Sequence, residues 1–284
     1  HYAALTARFA TDPSRYRRFW QAPIFYHNNT WEEPWLLRVS SAISAVHMLG
    51  NLSKSNRMVF PQSTYHLSFR LAREVGYWDV DIIPEDWHMF LKCYYFTRGE
   101  TTMESFFIPV GNDGVRAKGF VKTLREAYTQ SKRHAWGVSD LPYAVIQGLQ
   151  HAEMSAYQRV RRTWALAANH LIWSTHWSLL TLGWTIPFTM AMLFGIGAPP
   201  QGFHAVGRVA LLVSLLPYLG IIVLDHKIRP AQPVNYPFWQ RVCAYLQWAV
   251  LPFTSLVFST IPAIHAHTTL MLGKRMEYKV TEKA

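Results

Sequence analysis

Hydrophobic and polar positions divide this 284-residue chain into two regimes. Up to Thr163, short apolar runs alternate with charged turns, and the region holds 20 Lys/Arg and 14 Asp/Glu; from Trp164 onward there are 8 and 3. In the first regime, residues 19–26 read as a buried strand that runs into the polar stretch His27-Asn28-Asn29-Thr30. Helices are predicted over 33–51, 69–75 and 85–97, the last two closed by Gly76 and Gly99, with another over 123–135. Residues 60–68 mix loop and strand, and 103–110 form a strand. Helices and strands in alternation predict an α/β domain.

The second regime is long and uncharged. Residues 171–196 are 26 positions without Asp, Glu, Lys or Arg, where a membrane-crossing helix needs about 20. A second such stretch, 209–224, has 16 positions between Arg208 and Asp225, and Arg208 can extend its head group to the interface. A tight turn at 197–202 joins the two, and Pro187 and Pro217 are candidate kinks. Arg159, Arg161 and Arg162 precede the first stretch, while Lys227, Arg229 and Arg241 follow the second. That bias puts the soluble domain and the loop after Leu224 on the cytoplasmic side. The third stretch, 242–272, contains Pro252 and Pro262. A simple span would leave Lys274, Arg275, Lys279 and Lys283 outside, so a re-entrant or interfacial hairpin is expected. Residues 140–165 place Val145, Leu149, Ala156 and Val160 among later basic positions, the pattern of an amphipathic helix lying on a membrane surface.

Composition narrows the class further. The chain is half apolar and carries a net charge of +11. No basic-aromatic motif for nucleic acid accompanies that charge, and an anionic membrane face accounts for it. Cys93 and Cys243 are too far apart in sequence to form a disulfide framework and read as small buried residues. Two glycosylation sequons, at Asn28 and Asn51, have no consequence on a cytoplasmic domain. His265 and His267 would leave a helix on different faces, so no metal is assigned to them. The chain starts at His1 with no signal-peptide pattern and is expected to be the later part of a longer protein.

Two short clusters carry candidate chemistry. Pro84-Glu85-Asp86-Trp87 closes the run that begins Val75-Gly76-Tyr77-Trp78-Asp79, and it puts two carboxylates at a helix N-terminus. Such a carboxylate, open to a cleft, can take a proton from an attacking hydroxyl; the plainer role is to complement the helix dipole. Further on come Gln130, Arg133 and Trp136.

These clusters, in this order and followed by membrane segments, resemble the second half of the catalytic domain of glycosyltransferase family 2. That family's motif reads Thr-Glu-Asp and its Asp is the catalytic base; the resemblance makes Asp86 the base, with Glu85 beside it and Pro84 in place of the Thr. Gln130, Arg133 and Trp136 are similar to the Gln-x-x-Arg-Trp motif of processive members such as cellulose and hyaluronan synthases. There the motif binds the nucleotide diphosphate and lines the acceptor end; here His134 and Ala135 separate the Arg from the Trp. The segment Tyr278-Lys279-Val280-Thr281-Glu282-Lys283 is similar to a gating loop, Phe-x-Val-Thr-x-Lys, which closes over the nucleotide-sugar; Tyr278, Val280, Thr281 and Lys283 are its matching positions. The family's first half, with its uridine-binding Asp and its Asp-x-Asp for Mg²⁺ or Mn²⁺, has no counterpart in this sequence. Asp79-Val80-Asp81 has the letters but the wrong place, and no metal ligand is assigned.

The resemblance therefore implies a partial GT-A-type nucleotide-diphospho-sugar transferase domain over 1–139, an interfacial helix over 140–165, and a membrane region over 166–284. The implied enzyme is an inverting glycosyltransferase in the plasma (inner) membrane with its catalytic domain in the cytoplasm. Its partners would be a nucleotide-sugar such as a UDP-sugar, a glycan or lipid-linked acceptor, and the bilayer. Mg²⁺ or Mn²⁺ would be held by the absent half. His27, Asn28 and Asn29 are candidate sugar-pocket residues. A non-processive transferase acting on a lipid carrier, and a transferase-like scaffold or transporter without catalysis, stay open as alternatives.

Overall fold

The computed structural model describes residues 1–54, 60–195, 197, 202–278 and 281. The expected turn at 197–202 falls largely outside them, as do Val280 and Lys283. In chain order the elements are α1 (Tyr2–Thr11), β1 (Arg18–Gln21), β2 (Ile24–Phe25), α2 (Trp35–Leu52), β3 (His66–Leu67), α3 (Phe69–Glu74), α4 (Glu85–Phe96), β4 (Thr102–Ser105), β5 (Val110–Gly111) and α5 (Phe120–Ala135). Then follow α6 (Asp140–Gln150), α7 (Ala156–Leu182), α8 (Ile186–Phe194), α9 (Phe203–Ile228), α10 (Phe238–Leu246), α11 (Leu251–Ser255) and α12 (Ile261–Met271). A π-helical turn, Leu256–Thr260, joins the last two.

The fold is mostly helical with a small sheet, and all the strands among the described residues lie before α5. There β1 pairs parallel with β4 and antiparallel with β3, and β2 pairs parallel with β5. Parallel strands need a crossover, and here it contains α2, α3 and α4. Both predicted strands are shorter than expected, because each breaks at a proline. Pro23 separates β1 from β2, and Pro109 precedes β5. The N-terminal helix α1 was not foreseen; Leu5 and Phe9 on one of its faces cover Trp20 and Phe106.

Helix α4 is the centre of the domain. Glu85 and Asp86 occupy its first turn, where acidic groups favour the positive end of the helix. Met89, Phe90, Leu91, Cys93, Tyr94 and Tyr95 are all buried in the main core, together with Phe19, Leu71, Met103 and Leu166. Burial pushes the Cys93 thiol up to about 12, consistent with a packing residue. The predicted stops are where glycine is needed: Gly76 and Gly99 have φ of 81° and 86°.

The predicted interfacial helix is two helices. Residues 151–155 interrupt it, and Ser155 and Gln158 form a reciprocal cap that starts α7. The apolar stretches also differ from straight spans. Ala205–Ile228 is one helix long and apolar enough to cross a membrane. The pair α7/α8 passes only as a unit bent by 81°, and the pair of α10 with Leu251–Met271 as a unit bent by 74°. Pro187, Pro252 and Pro262 sit in the first turns of helices rather than kinking their interiors, while Pro217 lies inside α9. The last segment folds back: α12 lies along α5, with Ala263 and Ala266 against Ala135 and Trp136.

Candidate active site

The two sequence clusters meet. Gly137 follows Trp136, and a Cβ added there would stand 3.6 Å from Pro84 Cβ and 3.4 Å from the His170 ring. Both are ordinary van der Waals separations, so the acidic turn, the α5 corner and α7 are in direct contact at Gly137. Ile83 also leans on the buried group of Ala135 and Trp136. The start of α4 is thereby set beside the end of α5.

Asp86 is half-buried, and its Oδ1 accepts the Trp87 backbone N–H at 2.9 Å. Burial, then the like charge of Glu85, pushes its carboxyl up to about 7. Glu85 is more exposed. Desolvation also raises its carboxyl, opposed by the neighbouring Tyr65 hydroxyl. Tyr65 in turn accepts the Trp78 indole N–H at 2.6 Å. A carboxylate poised near neutrality, with a second carboxylate beside it, is the electrostatic condition of a general base.

One turn into the helix, His88 is buried between two more carboxylates. Its Nδ1 lies 2.6 Å from Asp140 and its Nε2 3.1 Å from Asp79. Burial opposes the charged ring, but Asp140 and then Asp79 outweigh it and hold His88 above the ordinary histidine value. Lys92 completes the chain at 2.8 Å from Asp79. Burial raises Asp140, and His88 pulls it back. This network ties α4 to the first residue of α6, just beyond Trp136, and so fixes the distance between the acidic turn and the α5 corner. Sequence reasoning missed it, since His88 and Asp140 are 52 residues apart. A buried Asp at a helix start was the only available signal.

Arg133 lies on the last turn of α5. Its guanidinium stacks on the Tyr278 ring at 5.1 Å and reaches the Thr281 hydroxyl at 3.5 Å. The C-terminal segment thus returns to this arginine. Gln130 is half-buried one turn earlier. Trp136 is 6% exposed and packs between helices, so it is a wall rather than an open platform. His265 and His267 do diverge: His265 meets Tyr128 and Lys132, each at 3.0 Å, while His267 faces His170.

His27, Asn28 and Asn29 have other partners than the acidic turn. Asn29 exchanges two hydrogen bonds with Gly114, at 3.0 and 2.7 Å, and the Asn28 N–H donates to Asn112 O at 3.3 Å. His27 stacks on Phe25 and lines a separate cleft with Glu33, Arg38, Asp225 and Arg229. Asn28 and Asn29 of this polar run join two loops. In that cleft Glu33 is 3% exposed and burial pushes its carboxyl up to about 7, against a Ser41 hydroxyl bond of 2.9 Å.

The described residues do not fit a divalent metal: they contain no group of three or more His, Cys, Asp or Glu able to hold an ion. Both oxygens of Asp79 are engaged, by Lys92 and by His88.

The family model described as glycosyl transferase family group 2 matches residues 1–272. No curated protein and no solved structure matches the chain.

Proposed function

This chain belongs to glycosyl transferase family group 2, and from that premise we propose that it serves a membrane-embedded, inverting transferase that moves a sugar from a nucleotide-sugar, such as a UDP-sugar, to a glycan or lipid-linked acceptor. The observation that supports the reading is the contact of Pro84 with Gly137, which brings the turn that carries Glu85 and Asp86 against the chain just after Trp136. In this reading an acceptor hydroxyl enters against Asp86. Asp86 removes its proton as the oxygen attacks the anomeric carbon, and the bond to the nucleoside diphosphate breaks. One displacement inverts that carbon. Arg133 neutralises the charge that grows on the leaving diphosphate, a large term when the donor is preorganised. Gln130 and Trp136 shape that end of the site. Tyr278 and Thr281 cover Arg133 as a gate would, with Val280 and Lys283 completing the motif.

Mg²⁺ or Mn²⁺ is common in this family, but with no fitting ligands here no step is drawn through it. The membrane part of the proposal rests on one helix able to cross and two bent pairs. Exposed Leu149, Tyr157, Val160 and Trp164 on α6 and the start of α7 suit an interfacial position. The Lys/Arg bias favours a cytoplasmic catalytic face in the inner membrane.

The test uses membrane vesicles bearing the full-length protein and radiolabelled UDP-hexoses. The expected result is label in glycan or in extractable lipid, abolished by Asp86→Asn. Absence of transfer from every nucleotide-sugar tried would leave the scaffold or transporter reading in its place.

A further inference from the structure

The segment between α3 and α4 is held with unusual care around a single ring. Gly76 and Tyr77 both have positive φ, 81° and 63°. Two left-handed residues in succession reverse the chain, and the second is not a glycine, so the turn carries strain. Lys92 clamps it from α4: its ammonium donates to the Tyr77 carbonyl at 3.0 Å and to Asp79 Oδ1 at 2.8 Å, one contact on each side of Trp78. The Trp78 indole N–H is fixed to the Tyr65 hydroxyl at 2.6 Å. Tyr65 is anchored in its turn, stacked on the fully buried Phe19 at 5.5 Å, with its hydroxyl near enough to Glu85 to favour that carboxylate.

Despite this locking, Trp78 is 43% exposed. An indole held at its N–H edge, with much of its surface left in solvent, gains little from burial. It is, however, ready to receive a flat apolar surface at low entropic cost. The C–H face of a pyranose is such a surface. The ring is one tyrosine away from Glu85, and Glu85 adjoins Asp86, whose reach must include the attacking hydroxyl. The diphosphate end lies on the other side of the Pro84–Gly137 contact, at Arg133. The geometry therefore favours the acceptor over the donor as the occupant.

We propose that Trp78 is a stacking platform for the acceptor sugar, with Tyr65 and Lys92 as positioning residues that hold it facing the acidic turn. The proposal rests on the transferase reading and names the acceptor as carbohydrate at the reacting end, whether free glycan or lipid-linked.

The test is steady-state transfer by the full-length protein in vesicles, with donor and acceptor varied separately. Acceptor probes are β-linked tetrasaccharides of glucose and of N-acetylglucosamine. Trp78→Ala is expected to raise acceptor KM about 10-fold, the worth of one aromatic stack, with donor KM within about 2-fold. Trp78→Phe keeps a ring and is expected to retain most of the affinity, which separates stacking from misfolding. Tyr65→Phe frees the indole edge and is expected to raise acceptor KM by a smaller factor. A rise in donor KM alone would make the ring a nucleobase platform and overturn the proposal, as would no change in either constant. If Asp86→Asn abolishes transfer while Trp78→Ala leaves acceptor KM unmoved, only the platform fails. If the wild-type protein transfers no sugar at all, the transferase reading fails and the platform with it.

Discussion

The protonation state of Asp86 sets a sharp expectation for pH. With its carboxyl at about 7, the base is about 90% ionised at pH 8 and about 10% ionised at pH 6. The rate constant kcat/KM should therefore fall nearly tenfold across that interval, on an acidic limb centred near neutrality. Burial is the main cause of the shift and the Glu85 charge the second. Glu85→Gln removes the second cause and leaves the first, so the limb should move to lower pH while the plateau at pH 8 changes little. Asp86→Asn should lower the plateau about 100-fold or more, the usual worth of a general base. The assay is transfer from a radiolabelled nucleotide-sugar in vesicles buffered from pH 5.5 to 9, with donor well below KM. An unmoved limb in Glu85→Gln would mean that the titrating group is not Asp86. A near-normal plateau in Asp86→Asn would remove it from the chemistry altogether.

Further outcomes follow from other contacts. Arg133→Lys should weaken both UDP inhibition and turnover about 10-fold or more, because an ammonium cannot reproduce a planar fork on diphosphate oxygens; survival of both would make Arg133 structural. His88→Leu should destabilise the protein by about 3 kcal/mol, since it leaves Asp140 buried and unpaired, and Asp140→Leu added to it should recover much of the thermal stability. Glu33 is held neutral by burial, with a folded value of about 7 against an ordinary 4.5. The wild type should thus lose stability as pH rises from 4.5 through 7, whereas Glu33→Gln should not. The gap in thermal unfolding should approach about 3 kcal/mol at pH 8; parallel curves would refute it. Cysteines placed at Gly202 and Lys274 should differ in intact cells, the first reacting with an impermeant thiol reagent and the second protected.

Much of the local structure was readable, and the reasons are local. Helix α4 announces itself through acidic residues at its start and Gly99 at its end. Gly76 and Gly99 mark stops because only the chain's own geometry decides them. The capping pair Ser155 and Gln158 was also present in the letters, and overlooking it merged α6 with α7. What could not be read depends on distant partners. Asp79 gives no sign in the sequence that Lys92 and His88 take both its oxygens. Asn29 gives no sign in the sequence that its amide pairs with Gly114, 85 residues later. The apolar stretches state that a segment is greasy but not where it turns, so the bends of 81° and 74° had no signature beyond nearby prolines.

The hairpin course proposed for residues 242–272 gains physical support from what α12 touches. Helix α5 carries Lys122, Arg125, Lys132 and Arg133, and charges of that density are too costly for a helix in hydrocarbon. Yet the last segment follows α5 along much of its length. Phe258 meets Leu124 and Ala127, His265 meets Tyr128 and Lys132, and Ala263 and Ala266 meet Ala135. Residues that keep such company sit at the interface or above it. That leaves α10, only 9 residues long, to enter the bilayer, and a helix of that length rises about 14 Å where the hydrocarbon measures about 30 Å. By itself it is too short to cross. The same course brings Tyr278 back to Arg133. On the proposed function, membrane attachment and closure of the nucleotide end are properties of one continuous segment, and a shift of α12 along α5 would be felt at Arg133.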